Sequence, residues 1–270
     1  MRFLCAFFAV KDHRNRKERK VVAKSRKGKL HQYAGGSQTK RRSLVKRKTT
    51  YVTFAIAAIA FVLSLALSAH AQVKVTVDYN ANGTPEFKFK NVPLPAKDDA
   101  ASKAKSVLVV GELDPNGADF SALTDGLLPS NEDEPAANLF FNAGGTGGRF
   151  RMDLGSVIEI AQINTYSWHP NTRGPQVYLL YASDGADPKF NAEPKGDTDP
   201  TTSGWKLLAT VDTRPKQGQG GGQYGVSITN STGALGKYRY LLFDCVATES
   251  DDEWGNTFYS EVDVVAKKKN

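Results

Sequence analysis

The sequence predicts an all-β protein, an antiparallel β-sandwich or jelly roll. Three observations predict it. About ten short stretches alternate apolar and polar residues or run apolar with β-branched and aromatic side chains. Gly, Pro, Asn and Asp punctuate the gaps between them. No stretch has the apolar period of an amphipathic helix, so strands must bury one another's faces.

Residues 1–48 hold 17 of the 36 Lys and Arg residues and 2 of the 28 Asp and Glu residues. The rest of the chain is therefore acidic, with 19 basic and 26 acidic residues, although the whole carries a formal net charge of +8. The lead lacks helical or strand periodicity and reads as disordered. Its basic runs lie outside the folded part, which argues against a nucleic-acid surface. Tyr51 to Leu67 is uncharged and is followed by Ser68-Ala69-His70-Ala71. Basic flank, apolar stretch and Ala-x-Ala site predict a secretory signal over 49–71, cleaved after Ala71. The other reading is an uncleaved single-span membrane anchor. Met1 and Met152 are the two methionines, so the long lead suggests a non-Met start near Leu44 or Val45. Detection of a precursor containing residues 1–40 would sink that expectation.

From Gln72 the chain reads as globular. Val73, Val75 and Val77 alternate with Lys74, Thr76 and Asp78, and Phe87 and Phe89 with Lys88 and Lys90. Asn91 to Lys105 reads as a loop, so 72–106 is an N-terminal portion of strands and loop. Ser106 to Val110 is a strand, and Leu123-Thr124-Asp125-Gly126 a turn. The block 149–184 reads as three strands. Phe150, Met152 and Leu154 alternate with Arg149, Arg151 and Asp153, and Gly155-Ser156 is expected to end that strand. Ile158 to Trp168 and Val177 to Tyr181 follow, joined by Trp168-His169-Pro170-Asn171-Thr172-Arg173-Gly174-Pro175. Pro188 to Gly204 reads as a polar surface insertion. Trp205–Val211, Tyr224–Ile228, Tyr238–Val246 and Phe258–Val265 are the remaining strands, with 266–270 as a tail.

The chemistry on offer is narrow. Beyond residue 71 there is one histidine, His169, and one cysteine, Cys245. That pair is too small for a zinc site, and one cysteine forms no internal disulfide. No Gly-x-Ser-x-Gly elbow is present. The acidic runs Glu132–Glu134 and Glu249–Glu253 could supply a glycosidase pair, but such runs are more often solvated loops. Hence an enzyme, a secreted glycoside hydrolase, stays as the alternative to a binding module, and a membrane-tethered adhesion or structural protein as the third reading. The loop with Trp168, His169, Asn171 and Arg173 offers an aromatic, an imidazole, an amide and a guanidinium. Trp254 and Asn256 stand just before the last strand. Together they suit a sugar, whose apolar ring face stacks on aromatics and whose hydroxyls take paired donors and acceptors.

Over roughly residues 107–265 the chain resembles the discoidin, or coagulation-factor type C, family of galactose-binding-like jelly rolls. The resemblance is carried in order by Leu123–Gly126, Gly148–Gly155 with Ile160, Ile163 and Trp168, then Val177–Gly185, Trp205–Leu208 and Phe258–Val264. It implies a non-catalytic module that binds carbohydrate, or another extracellular or envelope ligand, through loops at one end. By position Trp168, His169, Asn171 and Arg173 match one such loop, and Trp254 and Asn256 another. Many members hold a structural calcium, for which Asp125 and Glu261 match. The disulfide that ties the domain ends in animal members is absent, which fits a bacterial member, and Cys245 reads as a buried apolar thiol.

Overall fold

A computed structural model describes residues 72–218, 220–248 and 256–268. The basic lead, the expected signal segment 49–71, the acidic run 249–253 and Trp254 lie outside these residues.

Among the described residues eight strands form, all paired antiparallel: β1 (Val73–Asn80), β2 (Lys105–Val110), β3 (Gly147–His169), β4 (Val177–Ser183), β5 (Lys206–Asp212), β6 (Gly222–Asn230), β7 (Gly236–Val246) and β8 (Tyr259–Ala266). They make an antiparallel β-sandwich, as the alternating strands require. β3 is shared by both layers. Its first part pairs with β2 and β7, and β7 continues to β4 and β5. Its last part pairs with β8 on one side and β6 on the other, with β1 outside β6.

This corrects the expectation that Gly155-Ser156 ends a strand. The chain stays extended through them, and the pairing with β7 slips between Asp153 and Ile158. Gly155 sits at φ +81° with no atom within 4 Å of where a Cβ would be. A residue free to adopt positive φ lets one strand turn from one layer into the other without a loop.

The inward-facing residues alternate as predicted and meet between the layers. Phe150, Met152, Ile160 and Ile163 of β3 join Leu180, Val226, Ile228, Leu241, Phe243, Val262 and Val264 in the main core. Phe150 and Phe243 are cross-strand partners with rings 4.8 Å apart and nearly parallel. Each such side chain contributes about 1.5–3 kcal/mol by leaving water. Cys245 is buried in the same core.

Two segments cover the outer faces. Residues 81–104 lie over the β6–β3–β8 layer. Phe87–Lys90 forms no strand there; Phe87 has φ +45° and its ring is buried with Val92, Tyr166 and Trp168. The Phe/Lys alternation reflects a covering loop with a wet side, not a paired ladder. Carboxylates hold that loop down. Asp78 accepts from the Asn91 and Val92 amides, Asp263 from the Ala96 amide, and Asp99 from the Ala101, Ser102 and Val264 amides. On the other layer, 188–204 is docked rather than loose. Phe190 packs on Trp205 and Tyr240. The buried Arg149 guanidinium donates to the carbonyls of Pro194, Lys195 and Thr198 and pairs with Asp244 at 2.7 Å.

Candidate functional site

The loop from β3 to β4 is shaped by its own backbone. The Gly174 amide donates to the Asn171 carbonyl at 2.9 Å, and the Ser167 hydroxyl to the Gly174 carbonyl at 2.6 Å. The loop is pressed against the turn that enters β6, where a Cβ on Gly221 would collide with the Pro170 carbonyl. Only glycine allows so close an approach.

The segment leading into β8 meets this loop. The Phe258 amide donates to the Arg173 carbonyl at 3.1 Å, and the Thr257 hydroxyl to the Pro175 carbonyl at 2.5 Å. Thr248 donates to the Thr172 carbonyl at 2.7 Å. The loop with His169 and Arg173 and the segment with Asn256 therefore share one end of the sandwich.

There the Arg173 guanidinium lies 4.7 Å over the Phe258 ring. His169 meets the same ring edge-on, at 4.8 Å and 76°. Its Nδ1 accepts from the Asn171 amide at 3.2 Å, which in the neutral imidazole puts the proton on Nε2. Nε2 is 3.7 Å from Asp133 Oδ1. His169 is 1% exposed, so it positions the loop from beneath. Asn256 is buried and donates to the Asn142 carbonyl at 3.0 Å. The Asn171 Oδ1 is buried without a hydrogen-bond partner among the described residues. Arg173 is half-buried, and among the described residues its guanidinium makes no hydrogen bond or ion pair beyond the ring contact.

Trp168 does not join this group. At 4% exposed it packs edge-on against Phe87 at 5.4 Å, under Gly83, on the outer face of the layer. The strand period decides this: Ser167 and His169 point one way and Trp168 the other. The indole offers no face to a ligand, which corrects its assignment as a stacking platform. Trp254 lies outside the described residues.

Asp125 and Glu261 stand together at a different point, where 124–127 meets β8. The Gly126 amide donates to Glu261 Oε2 at 3.1 Å, and Asp125 accepts from the Leu127 amide at 2.8 Å. Glu261 is 1% exposed. Burial, then the carboxylates of Asp263 and Asp125, pushes its carboxyl up to about 9. Burial likewise pushes Asp99 up to about 6, with Asp263 adding to it. Acids crowded in this way suit a cation, whose charge would let them ionise. Among the described residues no three His, Cys, Asp or Glu side chains are set to hold a metal, so backbone carbonyls would have to complete the shell.

Two contributors escaped sequence reasoning. Phe258 was visible as the start of the last strand, but nothing in its spacing places it under Arg173. Asp133 belongs to an acidic run that reads as solvated.

No protein-family model matches this chain, and no curated protein matches it in sequence. Among solved structures it is similar to a Streptococcus pneumoniae fucose-binding module, at 14% identity and a TM-score of 0.40, covering 67% of this chain and 100% of that one. It is similar to chitosan-binding module 2 from a chitosanase/glucanase of Paenibacillus sp. IK-5, solved with chitotriose, at 13% identity and a TM-score of 0.38, covering 62% and 100%. It is also similar to SpGH29, at 13% identity and a TM-score of 0.35, covering 64% of this chain but spanning only 29% of that protein's length.

Proposed function

We propose that the protein is an exported, non-catalytic carbohydrate-binding module of the discoidin type, with its site where the β3–β4 loop meets the segment entering β8. The observation that carries the reading is Arg173. Its guanidinium is held over Phe258 while its donors remain available among the described residues. A planar fork of five donors suits the vicinal hydroxyls of a sugar. His169, Asp133 and Asn256 hold the two segments in place. Trp254, in the segment just before Asn256, is the proposed stacking ring of this end.

A structural calcium belongs to the same proposal. Asp125 and Glu261 would hold it, with carbonyls of the 124–127 turn, and it would neutralise the crowded carboxylates beside β8. Its role is to fix the turn, not to activate a ligand.

A glycan array probed with the full chain tests the reading. Retention of a defined glycan class, lost in Arg173→Ala while the thermal midpoint falls by no more than about 4 °C, is the expected result. An array profile identical for Arg173→Ala and the unsubstituted chain overturns the site. Release of shortened saccharides from a bound polysaccharide overturns the non-catalytic reading in favour of a hydrolase. Fractionation of cells tests export: the protein is expected in the soluble export pool, and recovery with membranes would show a retained anchor.

A further inference from the structure

Tyr79, near the end of β1, stands out by exposure. Among the described residues it is the one aromatic side chain counted as exposed, at 52%. Exposure of a large ring is common and by itself uninformative. This ring, however, is held. It lies against Tyr224, with centroids 4.8 Å apart and planes at 35°. Its hydroxyl donates to the Gly221 carbonyl at 2.7 Å. Gly222 follows so closely that a Cβ there would sit 2.9 Å from the Tyr79 ring.

Those same glycines are the neighbours of the β3–β4 loop. Gly221 abuts the Pro170 carbonyl and the Asn171 amide, and a Cβ on Gly174 would sit 3.0 Å from the Gly222 carbonyl. Pairing gives the distance. Tyr79 is opposite Tyr224, and Tyr224 opposite Ser167. Tyr79 is thus two strand spacings, about 10 Å, from the root of the loop. Its ring is pre-set and partly bare, beside a polar site that lacks a bare ring among its described residues.

We infer that Tyr79 forms a second subsite, an aromatic platform that extends the loop site so that it takes an oligosaccharide rather than a single sugar. This rests on the carbohydrate reading above. One sugar engages Arg173, and the ring of a further unit lies on the open face of Tyr79. Little conformational entropy is lost, because Tyr224 and the Gly221 carbonyl already fix the side chain.

The test is a length ladder of the glycan selected on the array, from mono- to tetrasaccharide, titrated calorimetrically against the full chain. In Tyr79→Ala, affinity for the tri- and tetrasaccharide is expected to fall about five- to tenfold while the monosaccharide is unaffected. Tyr79→Phe keeps the ring and is expected to bind all lengths normally, which separates stacking from the lost hydroxyl bond. Equal thermal midpoints for the two variants confirm that the fold is intact; a drop confined to Tyr79→Ala that abolishes every length would assign the ring a structural role and overturn the subsite. Unchanged affinity of Tyr79→Ala across a ladder that Arg173→Ala weakens overturns the subsite alone. Failure of the unsubstituted chain to retain any glycan overturns the site and its extension together.

Discussion

Arg173 and Phe258 hold each other twice: the guanidinium lies 4.7 Å over the ring, and the Phe258 amide donates to the Arg173 carbonyl at 3.1 Å. The backbone bond sets where the loop sits, and the ring sets where the cation points. One residue is in a loop and the other is next to the last strand, 85 positions on by their numbering.

The two contacts separate in a mutational test. Arg173→Ala loses a cation–ring contact of roughly 0.5–1 kcal/mol at a half-exposed position. The thermal midpoint is expected to fall by no more than about 4 °C. Glycan affinity should fall at least about tenfold, since a charged donor to hydroxyls is lost. Phe258→Ala opens a cavity and should cost about 3–5 kcal/mol, seen as a lower urea midpoint.

The crowded acids beside β8 make stability depend on pH. Asp99 and Glu261 keep their protons in the fold at pH values where the unfolded chain has lost them. The stability they contribute is complete below the ordinary carboxylate range. It declines as pH rises, from 3.8 towards about 6 for Asp99 and from 4.5 towards about 9 for Glu261. With a chelator present, the thermal midpoint is expected to be lower at pH 8 than at pH 5. Calcium should raise it more at pH 8, because it binds the ionised acids. Glu261→Gln should flatten the chelator profile and remove the calcium response. A calcium response that survives the substitution would show that Glu261 is not a ligand.

Gly155 tests the turn from one layer to the other. Nothing surrounds its missing side chain, so Gly155→Ala costs only the strain of positive φ, about 1–2 kcal/mol. Gly155→Asn should cost less, since Asn tolerates that region. Urea midpoints for the two variants check the order.

Arg149 tests the docking of 188–204. Arg149→Ala leaves three carbonyls and Asp244 without their common donor, at a cost of about 3 kcal/mol. Limited proteolysis is expected to cut first within 188–204 in the variant, and elsewhere or more slowly in the unsubstituted chain.

Period-two alternation was enough to find most strands and their buried faces. Val73 and Val75, Phe150 and Met152, and Val262 and Val264 all turn inward as the pattern requires. Buried Cys245 followed from the same phase. The pattern failed where extended chain and paired strand differ. Phe87–Lys90 alternates because one side is covered, although no partner strand bonds it. Gly155 read as a stop because a glycine that ends a strand and one that bends it look alike along the chain.

The candidate site divides along the same line. Residue types alone marked 168–173 as worth attention, since such a mixture of polar and aromatic groups with a closing Gly-Pro belongs in a loop. Which of them face the end of the sandwich was a tertiary matter. Packing against Phe87 withdrew Trp168, packing against Phe258 placed Arg173, and β1 brought Tyr79 beside the loop through β6. Hydrophobic order along a strand is local and can be read from neighbours two residues apart. Exposure is not local. It depends on which distant segment lies over each side chain, and only the folded chain decides that.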